Sequence, residues 1–102
     1  MSSIAVSTID DVGAFSDVAK LDVTAGAAVS HTISAGMQGL FIQNTGEYVC
    51  WFGGSTVNAT NKRGNILMPR EKILLRKCRS TCQIYFQCES GGTTTIGIFE
   101  YA

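Results

Sequence analysis

The sequence has no excess of either charge. Eight basic and eight acidic residues cancel over 102 positions, whereas a dedicated nucleic-acid binder carries a basic surplus. Charge of both signs is also scarce, at 16% of residues against about a quarter in an average soluble domain. So little charge on a small, fairly apolar chain predicts surface hidden in a partner or an oligomer. No apolar run approaches the roughly 18 residues of a spanning helix, so no membrane partner is expected. The opening MSSIAVSTIDDVGAF lacks a basic n-region and a long apolar core, which predicts no signal peptide. The expected site of synthesis is therefore a cytoplasm, where disulfides are uncommon.

Helical periodicity is equally sparse. Its best instance is STIDDVGAFSDVAK, where Val12, Phe15 and Val18 step by three. Gly13 in the middle costs about 1 kcal/mol relative to alanine. Residues 1–20 therefore read as an irregular N-terminal arm holding at most a short helix, and residues 21–102 as a single β-sandwich domain. Proline occurs once, at Pro69, where it stops a short apolar run because it cannot donate to a sheet ladder.

What the chain does contain is short apolar runs separated by turn residues, among them 11 glycines. KLDVT, AVSHTIS, GLFIQN, YVCWF, NILM, KILLRK, QIYFQC and TTTIGIFEYA read as successive strands. NTGE reads as a turn, and ESGG as a hairpin joining the last two strands. About eight short strands at this spacing predict an all-β fold, a β-sandwich or jelly-roll-like barrel. Several strands are apolar on both faces. Alternation sends Tyr48, Cys50 and Phe52 one way and Val49 and Trp51 the other. It likewise separates Ile96 and Ile98 from Phe99 and Tyr101. A lone sandwich keeps one wet face per sheet, so the second face should be covered by loops, the arm or another subunit.

Three of the four cysteines fall within RKCRSTCQIYFQC. Alternation puts Cys82, Ile84, Phe86 and Cys88 on one face, and a free cysteine packs as a small hydrophobe. Cys50 occupies a similar core position. Cys78 and Cys82 have a spacing compatible with a zinc knuckle, but no second such pair exists, so no metal is expected. A disulfide would require oxidising surroundings. His31, between Ser30 and Thr32, reads as an exposed strand histidine. No nucleophile signature such as G-x-S-x-G accompanies it, and no enzyme activity or cofactor is expected. Asn58 heads an N-x-T acceptor that stays idle without secretion, and the glycine pairs lack the G-K-[ST] of a phosphate loop.

The charges are unevenly placed. Residues 62–79 hold Lys62, Arg63, Arg70, Lys72, Arg76, Lys77 and Arg79 against Glu71 alone. Residues 1–22 hold Asp10, Asp11, Asp17 and Asp22 against Lys20 alone. Either these are solvated loops and strand edges, or they match neighbouring subunits electrostatically. The basic stretch is not interleaved with aromatics as an oligonucleotide-binding face requires. The aromatics Trp51, Tyr85, Phe99 and Tyr101 serve either as core or as interface anchors. The interface candidates are thus Arg63, Arg70, Lys72, Arg76, Trp51, Tyr85, Phe99 and Tyr101.

The stretch LFIQNTGEYVCWFGGSTVNATNKRGNILMPRE, followed by IYFQCESGGTTTIGIFEYA, resembles a recurring pattern in small β-rich virion proteins of tailed bacteriophages. The matching positions are the N-x-G turn at Asn44 and Gly46, the glycine turn at Gly53 and the S-x-V-x-A-T loop at Ser55–Thr60. The φ-x-P-x-E entry at Leu67–Glu71 and the terminal stretch Ser90–Tyr101 complete the pattern. The resemblance covers about Leu40 to Ala102. It implies a structural, non-enzymatic protein without cofactor, made in the host cytoplasm and resident in the virion. It also implies homo-oligomers on a symmetric lattice, with the major capsid protein and other copies as partners. A capsid decoration or cement protein is the leading expectation. A tail or head–tail component and a glycan-binding β-sandwich are the alternatives.

Overall fold

The structure is a computed structural model and describes residues 15–76 and 81–101, with side chains from Lys20 onward. Among the described residues eight strands form: β1 (Phe15–Thr24), β2 (Val29–Thr32), β3 (Gly39–Asn44), β4 (Cys50–Gly53), β5 (Asn65–Leu67), β6 (Lys72–Leu75), β7 (Gln83–Cys88) and β8 (Thr93–Tyr101). The all-β expectation holds. The first strand starts at Phe15, inside the segment read as an arm, and earlier than Lys20. A register shift between Asp17 and Ala19 explains why it was hard to see. A bulge breaks the period-2 alternation that marks a strand in sequence. The rest of the arm and the candidate short helix before Phe15 lie outside the described residues, as does Cys78.

Two four-stranded antiparallel sheets are present, ordered β1-β8-β3-β6 and β2-β7-β4-β5. The pairings β1–β8, β2–β7, β3–β6 and β4–β5 are nested. They describe one long two-stranded ribbon whose tip is the loop 54–64. Pairing β3 with β8 and β4 with β7 rolls that ribbon into two facing sheets. This is the jelly roll, the more specific of the two expected forms. Rolling also overturns the ESGG hairpin. Gly92 N–H donates to Glu89 O at 3.1 Å, so the chain does reverse there. However, β7 lies in one sheet and β8 in the other. Turn residues report a reversal, not the sheet that the next strand joins.

Alternation fills the space between the sheets. Leu40, Ile42, Ile96 and Val23 from one sheet meet Phe86, Cys50, Cys88 and Leu67 from the other, all fully buried. The Phe52 and Phe86 rings lie 6.4 Å apart at the centre. Cys82 departs from its expected core position. It precedes β7 and is exposed, because alternation governs side chains only within a strand.

The ribbon tip is closed by Asn58 and Arg63, whose backbones exchange hydrogen bonds of 3.0 and 2.8 Å. Gly64 follows with φ of 119°. A Cβ there would come within 2.7 Å of Val57 Cγ2 and 2.8 Å of Phe52 O. Strain and overlap act together, so Gly64→Ala is expected to cost about 2–3 kcal/mol. Urea denaturation would reveal the loss as a lower midpoint at unchanged slope. An unchanged midpoint would refute this account of the tip.

Candidate functional site

Two polar residues among those described are fully buried, Asn44 and Glu100, and Glu100 stands between the sheets. It follows Ile96 and Ile98 on the inward face of β8 and is fully buried. From the opposite sheet, His31 on β2 reaches it with Nε2 at 2.7 Å from Oε2. Ser34 N–H donates to the same oxygen at 3.0 Å. The exposed reading of His31 is therefore corrected: its side chain is only 12% exposed. His31 sits between Val29 and Ile33 at the inward-facing step of the alternation, and Ser30 and Thr32 face outward. The period-2 pattern carried this signal, as did Glu100 two residues beyond Ile98.

Burial alone would push the Glu100 carboxyl up. The hydrogen bonds from Ser34 and His31 outweigh that effect and hold it below its ordinary value of 4.5. A depressed folded-state value means that the unfolded chain binds the proton more readily. The carboxylate thus adds stability above the ordinary value, and this is lost as pH falls through that value toward the folded one. Melting midpoints measured between about pH 6 and pH 3 should fall more steeply for the parent than for Glu100→Gln. Parallel curves would refute the assignment.

A second polar knot closes one end of the sandwich. Asn44, at the end of β3, is fully buried. Its Nδ2 donates to Tyr48 O at 2.7 Å and Leu67 O at 3.1 Å. Its Oδ1 accepts from Gly46 N–H at 3.1 Å and from the Thr94 hydroxyl. A Cβ on Gly46 would fall 2.1 Å from Thr94 Oγ1, which is why the third residue of N-x-G is glycine. The remaining motifs singled out in the sequence are likewise structural. Val57 of the S-x-V-x-A-T loop is buried. Glu71 of the φ-x-P-x-E entry accepts from Met68 N–H at 2.8 Å and caps its own turn.

The interface candidates divide among three surfaces. Phe99 and Tyr101 lie on the outer face of the β1-β8-β3-β6 sheet. Phe99 pairs across to Phe41 and Phe41 to Leu74. The Tyr101 and Phe41 rings lie 6.3 Å apart. Phe99 is 41% exposed. Lys72 stands on the same outer face opposite Gln43, and Arg76 just beyond the end of β6. The apolar patch therefore has basic residues along its β6 side. Trp51 and Tyr85 lie instead on the outer face of the other sheet, with exposed Ile66 opposite Trp51. Arg63 belongs to the ribbon tip. Arg70 sits in the β5–β6 turn and pairs with Glu47, both well exposed. Such a pair contributes little to stability, but it partly neutralises the Arg70 charge.

Among the described residues, no three His, Cys, Asp or Glu side chains gather to hold a metal ion. Likewise, no helix among them is long and apolar enough to cross a membrane. Comparison with protein-family models, curated proteins and solved structures returned no match.

Proposed function

We propose that this protein is a structural component of a bacteriophage virion, a decoration or cement protein that binds the major capsid protein of the head shell. The observation carrying the proposal is the outer face of the β1-β8-β3-β6 sheet. It presents exposed Phe99 with half-buried Leu74 and Tyr101, laid over buried Phe41, and Lys72 at the margin. Aromatics beside cations are the side chains that concentrate binding energy. The jelly roll supports the reading only by analogy, since viral capsid proteins and lectins both use it. In this proposal the patch seats on the shell and the β6-side cations meet acidic surface there. Copies repeat on the lattice, so modest single contacts add through avidity.

Co-sedimentation with purified expanded capsid shells provides the test. Saturable binding at a fixed ratio to capsid subunits is expected, weakened by salt because exposed charges are screened. Phe99→Asp should lower affinity by about tenfold or more in a protein that keeps its β circular dichroism and a cooperative melt. No binding by the folded parent at low or high salt would overturn the decoration reading. A tail position would then be the next virion site to assay, and glycan binding the non-virion one.

A further inference from the structure

Cys50 on β4 and Cys88 on β7 are direct Cα partners. Both are fully buried and both are free thiols. The neighbouring hydrogen bond fixes their place in the ladder. Glu89 N–H donates to Val49 O at 3.0 Å, while Val49 N–H turns to Glu89 Oε2 at 2.8 Å, so Val49 and Glu89 stand at a hydrogen-bonded step of which one backbone bond is made. In an antiparallel ladder the next pair is then non-hydrogen-bonded. Such partners sit with Cα atoms about 4.5 Å apart, and their side chains approach most closely. A disulfide requires a Cα separation of about 4.4–6.8 Å. Alternation with Phe52 and Phe86 turns both thiols to the same, inward face. The Cys50 thiol is pushed up to about 12, by burial first and by the neighbouring Cys88 second.

We propose that Cys50 and Cys88 are a latent disulfide pair, an oxidative modification site that locks β4 to β7 when the chain meets a small dialkyl disulfide such as oxidised glutathione. The chemistry is two thiol–disulfide exchanges. One cysteine thiolate attacks the small disulfide, forms a mixed disulfide and releases one glutathione thiol. The second cysteine then attacks the protein-side sulfur, closes Cys50–Cys88 and releases the other glutathione. The two cysteine protons end on the two released thiols, and the small disulfide takes up the two electrons. Burial excludes the oxidant from the closed sandwich, so reaction proceeds while the chain folds or opens. The closed loop runs from residue 50 to 88 and contains all of β5 and β6. Such a loop constrains the unfolded chain and raises stability. The exposed Cys82 precedes β7 and has no place in this pair. The inference rests on strand register alone and is independent of the virion reading.

The test uses the full chain, unfolded in urea and refolded with oxidised glutathione. Remaining thiols are alkylated and the digest is mapped by mass spectrometry. The expected product is one cross-linked peptide joining Cys50 to Cys88, two hydrogens lighter than its reduced parts. Its circular dichroism should stay that of the reduced β protein, and its melting midpoint should be higher. The link should also survive a glutathione ratio that fully reduces the urea-unfolded chain. Cys50→Ser should abolish the cross-link to Cys88. A Cys78→Ala/Cys82→Ala double variant should retain it, which excludes shuffling from those residues. Refolded, β-structured double variant with both thiols still open to alkylation after unfolding would overturn the proposal. So would a cross-linked product that has lost its sheet signal.

Discussion

Replacing Asn44 by alanine will remove about 3–5 kcal/mol of stability and lower the melting midpoint by at least about 12 °C. The side chain serves four partners at once: Tyr48 O, Leu67 O, Gly46 N–H and the Thr94 hydroxyl. The contacts to Leu67 and Thr94 are buried. A buried group stranded without a partner costs about 1–3 kcal/mol. The contacts near the turn are only partly buried, so water can replace part of what they lose. The partners also belong to different parts of the jelly roll. Leu67 ends β5 in one sheet, Thr94 is the second residue of β8 in the other, and Gly46 and Tyr48 shape the chain crossing between them. Thr94→Val, which removes one hydroxyl only, should cost about 1 kcal/mol. Thermal melts of the two variants side by side decide the matter. An Asn44→Ala protein melting within about 4 °C of its parent would show that the knot is replaceable.

Much of the sandwich was legible from alternation. GLFIQN and QIYFQC coincide with β3 and β7 residue for residue. Period-2 patterning needs only local sterics and one buried face, and both act within a few residues. Failure came where the deciding contact is distant in sequence. ESGG has the composition of a hairpin, yet the nested pairing of β1 with β8 and β2 with β7 commits its flanking strands to different sheets. The alternation that would place Cys82 in the core stops one residue short of it, at the strand end. The polar neighbours Ser30 and Thr32 give His31 the look of a solvent position, although Val29 and Ile33 bracket it on the inward face. One polar residue among core positions is ambiguous. Two of opposite character, His31 and Glu100, on separate inward faces, point to a pair.

The turn and loop motifs picked out in the sequence acquire a physical meaning in the same way. Asn44 and Gly46 tie one end of the sandwich, Val57 is buried at the ribbon tip, and Glu71 caps the β5–β6 turn. Glu100 joins the two sheets. These residues are explained by folding alone, so the motifs speak first to architecture. The residues proposed to meet a partner, Leu74, Phe99 and Lys72, lie on the outer face, where the fold imposes little.

The pair joining the sheets yields the other large effect. Glu100→Ala leaves the mostly buried His31 ring and the Ser34 N–H without their acceptor. A buried donor left without its acceptor costs about 1–3 kcal/mol, and more where the lost partner is charged, and two donors are stranded at once. His31→Leu has a comparable consequence, because it removes a donor from a carboxylate that already has Oε1 buried without a hydrogen bond. Each single variant should therefore unfold at clearly lower urea than the parent. The double variant His31→Leu/Glu100→Leu should behave differently. It removes both desolvated groups and fills their space with apolar volume against Ile98 and Ile33. Such exchanges are often neutral or stabilising by about 1–4 kcal/mol. Recovery will be incomplete, since Ser34 N–H still loses its acceptor. The expected ordering of urea midpoints is thus parent and double variant close together, with both single variants well below. The double variant should also lose the part of the acid sensitivity that belongs to Glu100, because no carboxylate remains at that position. Additive losses, with the double variant the least stable of the four, would mean that the two side chains act independently. In that case the 2.7 Å contact between the sheets would not be what couples them.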